Sequence, residues 1–125
     1  ETTVVDGVAF TTTRSGEGFG GRVAENGDLL MVHYTGKLDD GTVFDSSLNA
    51  RPGSRKPYGV PLMLKLGRGE VIKGWEIGLQ GMQVGEQRTI VIPPELAYGD
   101  RDLGVIPPNS TLTFDVELVG LYREE

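Results

Sequence analysis

The stretch EVIKGWEIGLQGM, residues 70–82, constrains the fold most, because it is the only segment whose apolar spacing is helical and it is loaded with glycine. Ile72, Trp75, Leu79 and Met82 recur at steps of three, four and three, which sets them on one stripe of a helix over 71–82. Ile77 falls off that stripe. Gly74, Gly78 and Gly81 each cost about 1 kcal/mol relative to alanine, and no Ser, Thr, Asp or Asn stands where an N-cap belongs. Such a helix cannot hold itself. It needs a surface to lie on, and the missing side chains let it approach that surface closely.

Strands supply the surface. In TLTFDVEL, Leu112, Phe114, Val116 and Leu118 alternate with Thr113, Asp115 and Glu117, the pattern of a strand with one buried face. Short runs of the same kind occur at 8–13, 29–36, 42–46, 62–66 and 87–92. Asn26-Gly27 and Asp40-Gly41 suit the tight turns that join antiparallel strands. A chain of 125 residues fits one domain with one core. The expected class is α+β: a curved antiparallel sheet of five to six strands wrapped around one short helix. Two Pro- and Gly-rich stretches, 49–61 and 93–110, read as loops, and the first carries Arg51, Arg55 and Lys56.

Several function classes fall away. A net charge of −6 opposes nucleic acid and anionic membrane as main partners. With no cysteine there is no thiol chemistry, disulfide or thiolate metal site, and no apolar run nears the roughly 20 residues that span a bilayer. GEGFGG, 16–21, matches a dinucleotide fingerprint, but a turn and a strand follow where a helix is required, so it reads as a loop. His33 stands alone on a strand and reads as a face or core residue, with neither a metal nor a cofactor implied. Asp39 and Asp40 belong to a turn. Asn109-Ser110-Thr111 fits a glycosylation acceptor, which matters only in a secretory compartment. What remains is aromatic and aliphatic. Core filling accounts for most of it, yet Tyr98 lies in a loop and the Trp75 indole N–H needs a partner in a dry core.

Three stretches, VHYTGKLDDGTVFDSS, LGRGEVIKGWEIGLQGMQVGEQRTIVIPPELAYGD and GVIPPNSTLTFDVEL, resemble the FKBP family of peptidyl-prolyl cis-trans isomerases. The resemblance runs in the family's order from about Asp28 to Leu121. It implies a single FKBP-type domain over 1–125 with its core at about 28–121 and an N-terminal strand at about 7–14. It also implies a hydrophobic pocket that binds X-Pro polypeptides and the macrolides tacrolimus and rapamycin.

Carried over position by position, the resemblance puts Trp75 under the proline ring, with Tyr34, Phe44, Val71, Ile72 and Phe114 as walls. The Tyr98 hydroxyl and the Ile72 backbone N–H would donate to the ligand, Asp45 is the pocket-edge carboxylate, and Ile106 lies beside the ring. Tyr34, Phe44, Asp45, Tyr98 and Phe114 are the implied catalytic set; Leu62, Val71, Ile72, Trp75 and Ile106 the implied binding set. Leu62 stands where the family often has an aromatic residue. The 45–62 segment is longer, and the GDRDLG loop slightly shorter, than in minimal members. The expected function is isomerisation of X-Pro bonds in protein folding by a monomer; the alternative is a binding or chaperone module with weak or no activity. A start at Glu1 suggests a processed or trimmed chain, which leaves a cytoplasmic, secretory or organellar location open.

Overall fold

In the computed structural model, residues 1–16, 22–48 and 59–123 are described. Alternation decides which face of the sheet is buried. β3 (Leu29–Lys37) turns Leu30, Val32, Tyr34 and Gly36 inward, and β7 (Leu112–Tyr122) does the same with Leu112, Phe114, Val116 and Leu118. These two strands pair antiparallel along their whole common length, from Leu29 opposite Tyr122 to Lys37 opposite Thr113. β6 (Gln87–Ile92) flanks β7, then come β2 (Val8–Arg14) and β1 (Thr2–Val5). On its other edge β3 carries two short strands in succession. β5 (Leu62–Lys65) pairs with its first half and β4 (Val43–Ser46) with its second.

Among the described residues the sheet therefore has seven antiparallel strands, one beyond the periodicity count, around one short helix. The additional strand is β1, whose four residues are all exposed and so show no apolar alternation. Its hairpin to β2 turns at Asp6 (φ 51°) and Gly7 (φ 89°), a pair of left-handed residues of the kind that two-residue hairpins require.

The helix, α1, spans Lys73–Gly78, shorter than the 71–82 stripe. At Gly81 the chain takes φ +78°, and its N–H donates to Ala24 O at 2.9 Å while Ala24 N–H donates to Met82 O at 2.8 Å. The last part of the stripe is thus stitched to another segment rather than continued as helix. Leu79 and Met82 are nevertheless fully buried, and Ile77 packs partly buried against the same core.

Two glycines set how close α1 lies to the sheet. A Cβ at Gly78 would stand 2.6 Å from Ile90 Cγ2, and one at Gly74 would overlap the Ile92 side chain; both isoleucines are fully buried on β6. The helix has no side-chain N-cap. Its first turn is tied by Glu76, which accepts the Gly67 and Gly69 N–H groups at 2.6 and 2.9 Å. Beyond its other end, Arg88 donates to Gly78 O at 2.9 Å and Gln80 O at 2.7 Å, a cation where the helix dipole is negative. Buried Glu86 holds that guanidinium at 2.6 Å, and the Phe10 ring lies 4.6 Å beneath it.

A second clamp joins the end of β7 to the turn before β3. Arg123 donates Nε and Nη2 to the two oxygens of buried Asp28, both at 2.8 Å, and the Glu25 N–H adds a third bond at 3.0 Å. The Arg123 hydrogen bonds outweigh burial and hold the Asp28 carboxyl below its ordinary 3.8. A carboxyl with a lower pKa folded than unfolded stabilises the fold above the unfolded value and loses that contribution as pH falls through the folded one.

Two outcomes are expected. Gly78→Ala lowers stability in urea titration by about 1–3 kcal/mol, because overpacking against Ile90 exceeds the gain of about 1 kcal/mol in helix propensity; a stabilised variant would disprove the contact. Stability of the parent chain declines on acidification below about pH 3.8, and Asp28→Asn shows a shallower decline in the same titration.

Candidate active site

Four elements bring an aromatic cluster together on the concave side of the sheet. Trp75 of α1 packs edge-to-face against Tyr34 of β3 and Phe114 of β7, each at 5.2 Å between ring centroids. Phe44 of β4 meets Phe114 at 5.5 Å, again at nearly a right angle. Perpendicular rings place positive edges on negative faces, worth about 0.5–1.5 kcal/mol per pair beyond area burial. The rings can meet because β3 carries Gly36 beneath them. A Cβ there would stand 2.5 Å from Phe44 Cζ and 2.7 Å from Phe114 Cε1.

Above this cluster lies a cavity of about 410 Å³. Tyr34, Phe44, Asp45 and Phe114 line it from the sheet, Leu62 from the start of β5, Val71, Ile72 and Trp75 from the α1 approach, and Tyr98 from the loop after β6. These are nine of the ten residues singled out in the sequence. The tenth, Ile106, is buried in the hydrophobic cluster and is not a lining residue; its carbonyl accepts the Leu103 N–H at 3.1 Å. Glu70 lines the cavity as well and was not anticipated. Its only sequence signal is adjacency to Val71, and an exposed Glu beside a glycine-rich turn resembles any solvated residue.

Polar groups at the cavity divide into engaged and unengaged. The Tyr34 hydroxyl donates to Asp45 Oδ2 at 2.8 Å, and the Ser46 N–H donates to Asp45 Oδ1 at 2.9 Å. Behind Tyr34, its N–H donates to Ser47 Oγ at 2.8 Å, and His33 Nδ1 lies 3.0 Å from that oxygen. His33 itself does not line the cavity. By contrast, the Tyr98 hydroxyl and the Ile72 N–H bond nothing among the described residues. Ile72 is extended (φ −61°, ψ 153°), and its carbonyl starts the helix by accepting the Trp75 and Glu76 N–H groups. Trp75 Nε1 is the one buried side-chain polar atom among the described residues without a hydrogen-bond partner, so the perpendicular rings are its surroundings.

No grouping of three potential metal ligands and no helix long and apolar enough to cross a membrane occurs among the described residues. The segment carrying Arg51, Arg55 and Lys56, and most of GEGFGG, lie outside them.

A model of the FKBP-type peptidyl-prolyl cis-trans isomerase family matches residues 20–119. The chain belongs to this family. FK506-binding protein 2 of Candida glabrata is 56% identical over 99 residues, covering 78% of this chain and 67% of the relative. FK506-binding protein 4 of Neurospora crassa is 50% identical over 116 residues, covering 93% of this chain but 22% of the relative. The chain thus spans about a fifth of that protein. Among solved structures, FkpA from Escherichia coli superposes with a TM-score of 0.78 at 37% identity, over 98% of this chain and 52% of that one. The FKBP fold and the seven-stranded sheet described above are one architecture.

The aromatic cluster of this FKBP chain should not tolerate a methyl at its base. Gly36→Ala is expected to lower stability by about 1–3 kcal/mol and to weaken the near-ultraviolet circular dichroism that perpendicular rings produce. An unchanged near-ultraviolet spectrum would show that the rings do not rest on Gly36.

Proposed function

We propose that the chain is a single FKBP-type domain over 1–125 that acts as a monomeric peptidyl-prolyl cis-trans isomerase on exposed X-Pro bonds. The observation that carries this is an apolar, aromatic-lined cavity bordered by two unengaged donors, the Ile72 N–H and the Tyr98 hydroxyl. Related proteins carry the corresponding name, among them peptidyl-prolyl cis-trans isomerase FKBP2 of Mus musculus, 50% identical over 101 residues.

The reaction asks little of covalent chemistry. Amide resonance gives the C–N bond a rotation barrier of about 18–20 kcal/mol, so X-Pro bonds interconvert over tens to hundreds of seconds unaided. Rotation makes and breaks no bond. The planar amide is more charge-separated than the twisted one, so transfer from water into an apolar cavity penalises the ground state more than the transition state. In this reading the proline ring lies against Trp75, with Tyr34, Phe44, Val71 and Phe114 enclosing it. The Ile72 N–H and Tyr98 hydroxyl hold substrate carbonyls, and Asp45 fixes Tyr34. The same surfaces and donors suit tacrolimus and rapamycin, which would compete with peptide.

The deciding experiment is the rate of cis-to-trans conversion of an X-Pro peptide with and without rapamycin. Acceleration abolished by rapamycin is expected. No acceleration at micromolar protein would overturn the isomerase reading, and rapamycin binding without acceleration would favour a binding module. Tyr98→Phe should weaken rapamycin binding about five- to tenfold, the worth of one hydrogen bond, with the melting temperature little changed. Equal affinity would remove the hydroxyl from the site.

A further inference from the structure

One step beyond the Thr35–Ser46 pair of β3 and β4, Ser47 comes opposite Tyr34. An antiparallel pair at such a position exchanges two backbone hydrogen bonds, and here only one of them forms, from the Ser47 N–H to Tyr34 O at 2.9 Å. The Ser47 carbonyl is turned to the Gly59 N–H instead, at 2.6 Å. Its place is taken by the Ser47 side chain, whose Oγ accepts the Tyr34 N–H at 2.8 Å. That buried hydroxyl still has one hydrogen to give. His33 Nδ1 lies 3.0 Å from it and Tyr34 O 3.4 Å, so the imidazole is the better acceptor. His33 belongs to the opposite face of β3, where it lines a second cavity of about 350 Å³.

We propose that Ser47, its hydroxyl held by His33, is a positioning residue for isomerisation that sets the Tyr34 phenol against Asp45 and Trp75. This rests on the isomerase reading of the cavity. The Tyr34 hydroxyl donates to Asp45 Oδ2 at 2.8 Å, and its ring meets Trp75 at 5.2 Å between centroids. Asp45 stands only two residues before Ser47, so both ends of Tyr34, backbone N–H and phenol, are tied to one short piece of chain. A shift of β3 against that piece moves the phenol relative to its carboxylate. Ser46 does not duplicate the tie, because its Oγ lies 3.0 Å from Thr35 Oγ1 and accepts the Leu48 N–H at 3.1 Å. Alanine at 47 takes the acceptor from the Tyr34 N–H at a buried place, and the strand must move to recover one. Small misplacements around a reacting bond cost rate more than binding.

The test reads kcat and KM separately for one X-Pro peptide. Ser47→Ala is expected to lower kcat about five- to tenfold, the worth of one hydrogen bond, with KM little changed. In a Tyr34→Phe background, where no phenol remains to be placed, the same substitution should cost less than about twofold, because the two residues act through one another. A purely structural role predicts equal losses in the two backgrounds. Should Ser47→Ala not fold, His33→Phe, which withdraws only the acceptor of the hydroxyl, carries the same comparison with a loss of about threefold. An unchanged kcat, or an equal loss with and without the phenol, would overturn the assignment while leaving the isomerase reading intact. Absence of acceleration by the parent chain would overturn both.

Discussion

Everything in the cavity depends on how near α1 comes to β6. Gly74 against Ile92 and Gly78 against Ile90 leave no room for a methyl group, so the helix axis has one permitted distance from the sheet. That distance places the Trp75 indole between Tyr34 and Phe114 at 5.2 Å from each. A helix pushed outward by even one methyl would open the aromatic cluster, because close-packed interiors do not absorb such a change. The glycines cost helix propensity, and the dispersion and burial of Trp75, Leu79, Ile90 and Ile92 offset it.

A helix of six residues also cannot stand without its ends being held. Glu76 holds loop amides at one end and Arg88 holds carbonyls at the other, and both partners belong to neighbouring segments rather than to the helix itself. Arg88 in turn is set by Glu86, which also accepts from Thr12 at 2.9 Å and from the Gln83 N–H at 3.0 Å. Both members of this buried ion pair carry further hydrogen bonds, the condition under which burying two charges is tolerated. The helix, β2 and β6 are thereby linked through one guanidinium.

How much of this was legible in the sequence follows from the kind of signal each part emits. β3 and β7 alternate because one of their faces is buried, and β6 follows them; these strands stand out in the letters. β1 emits no such signal, since all four of its residues are exposed, and only the Asp6-Gly7 turn marks it. The apolar stripe from Ile72 to Met82 reported burial faithfully but overstated the helix, because burial continues after the backbone leaves α-geometry at Gly81. Eight lining residues were reachable through long family motifs, and Leu62 by its place between them. Glu70 was not, because an exposed carboxylate carries no periodicity, and Ile106 joined the core instead of the cavity wall. The Arg88 and Asp28 clamps were invisible for a related reason: each joins residues far apart in the chain.

The double occupancy of one β3 edge has a consequence for how this architecture can vary. β5 ends its pairing opposite Val32 and β4 begins opposite Thr35, so His33 and Tyr34 face a break in the ladder. Ser47 closes it by taking the Tyr34 N–H on its hydroxyl and donating its own N–H to the Tyr34 carbonyl at 2.9 Å. The chain between β4 and β5 leaves and rejoins the same edge, and Ser47 satisfies the backbone at the seam. Added length there costs only slowly growing loop entropy and leaves the sheet register untouched. The seam is a natural port for insertions, because the pairing on either side of it stays the same.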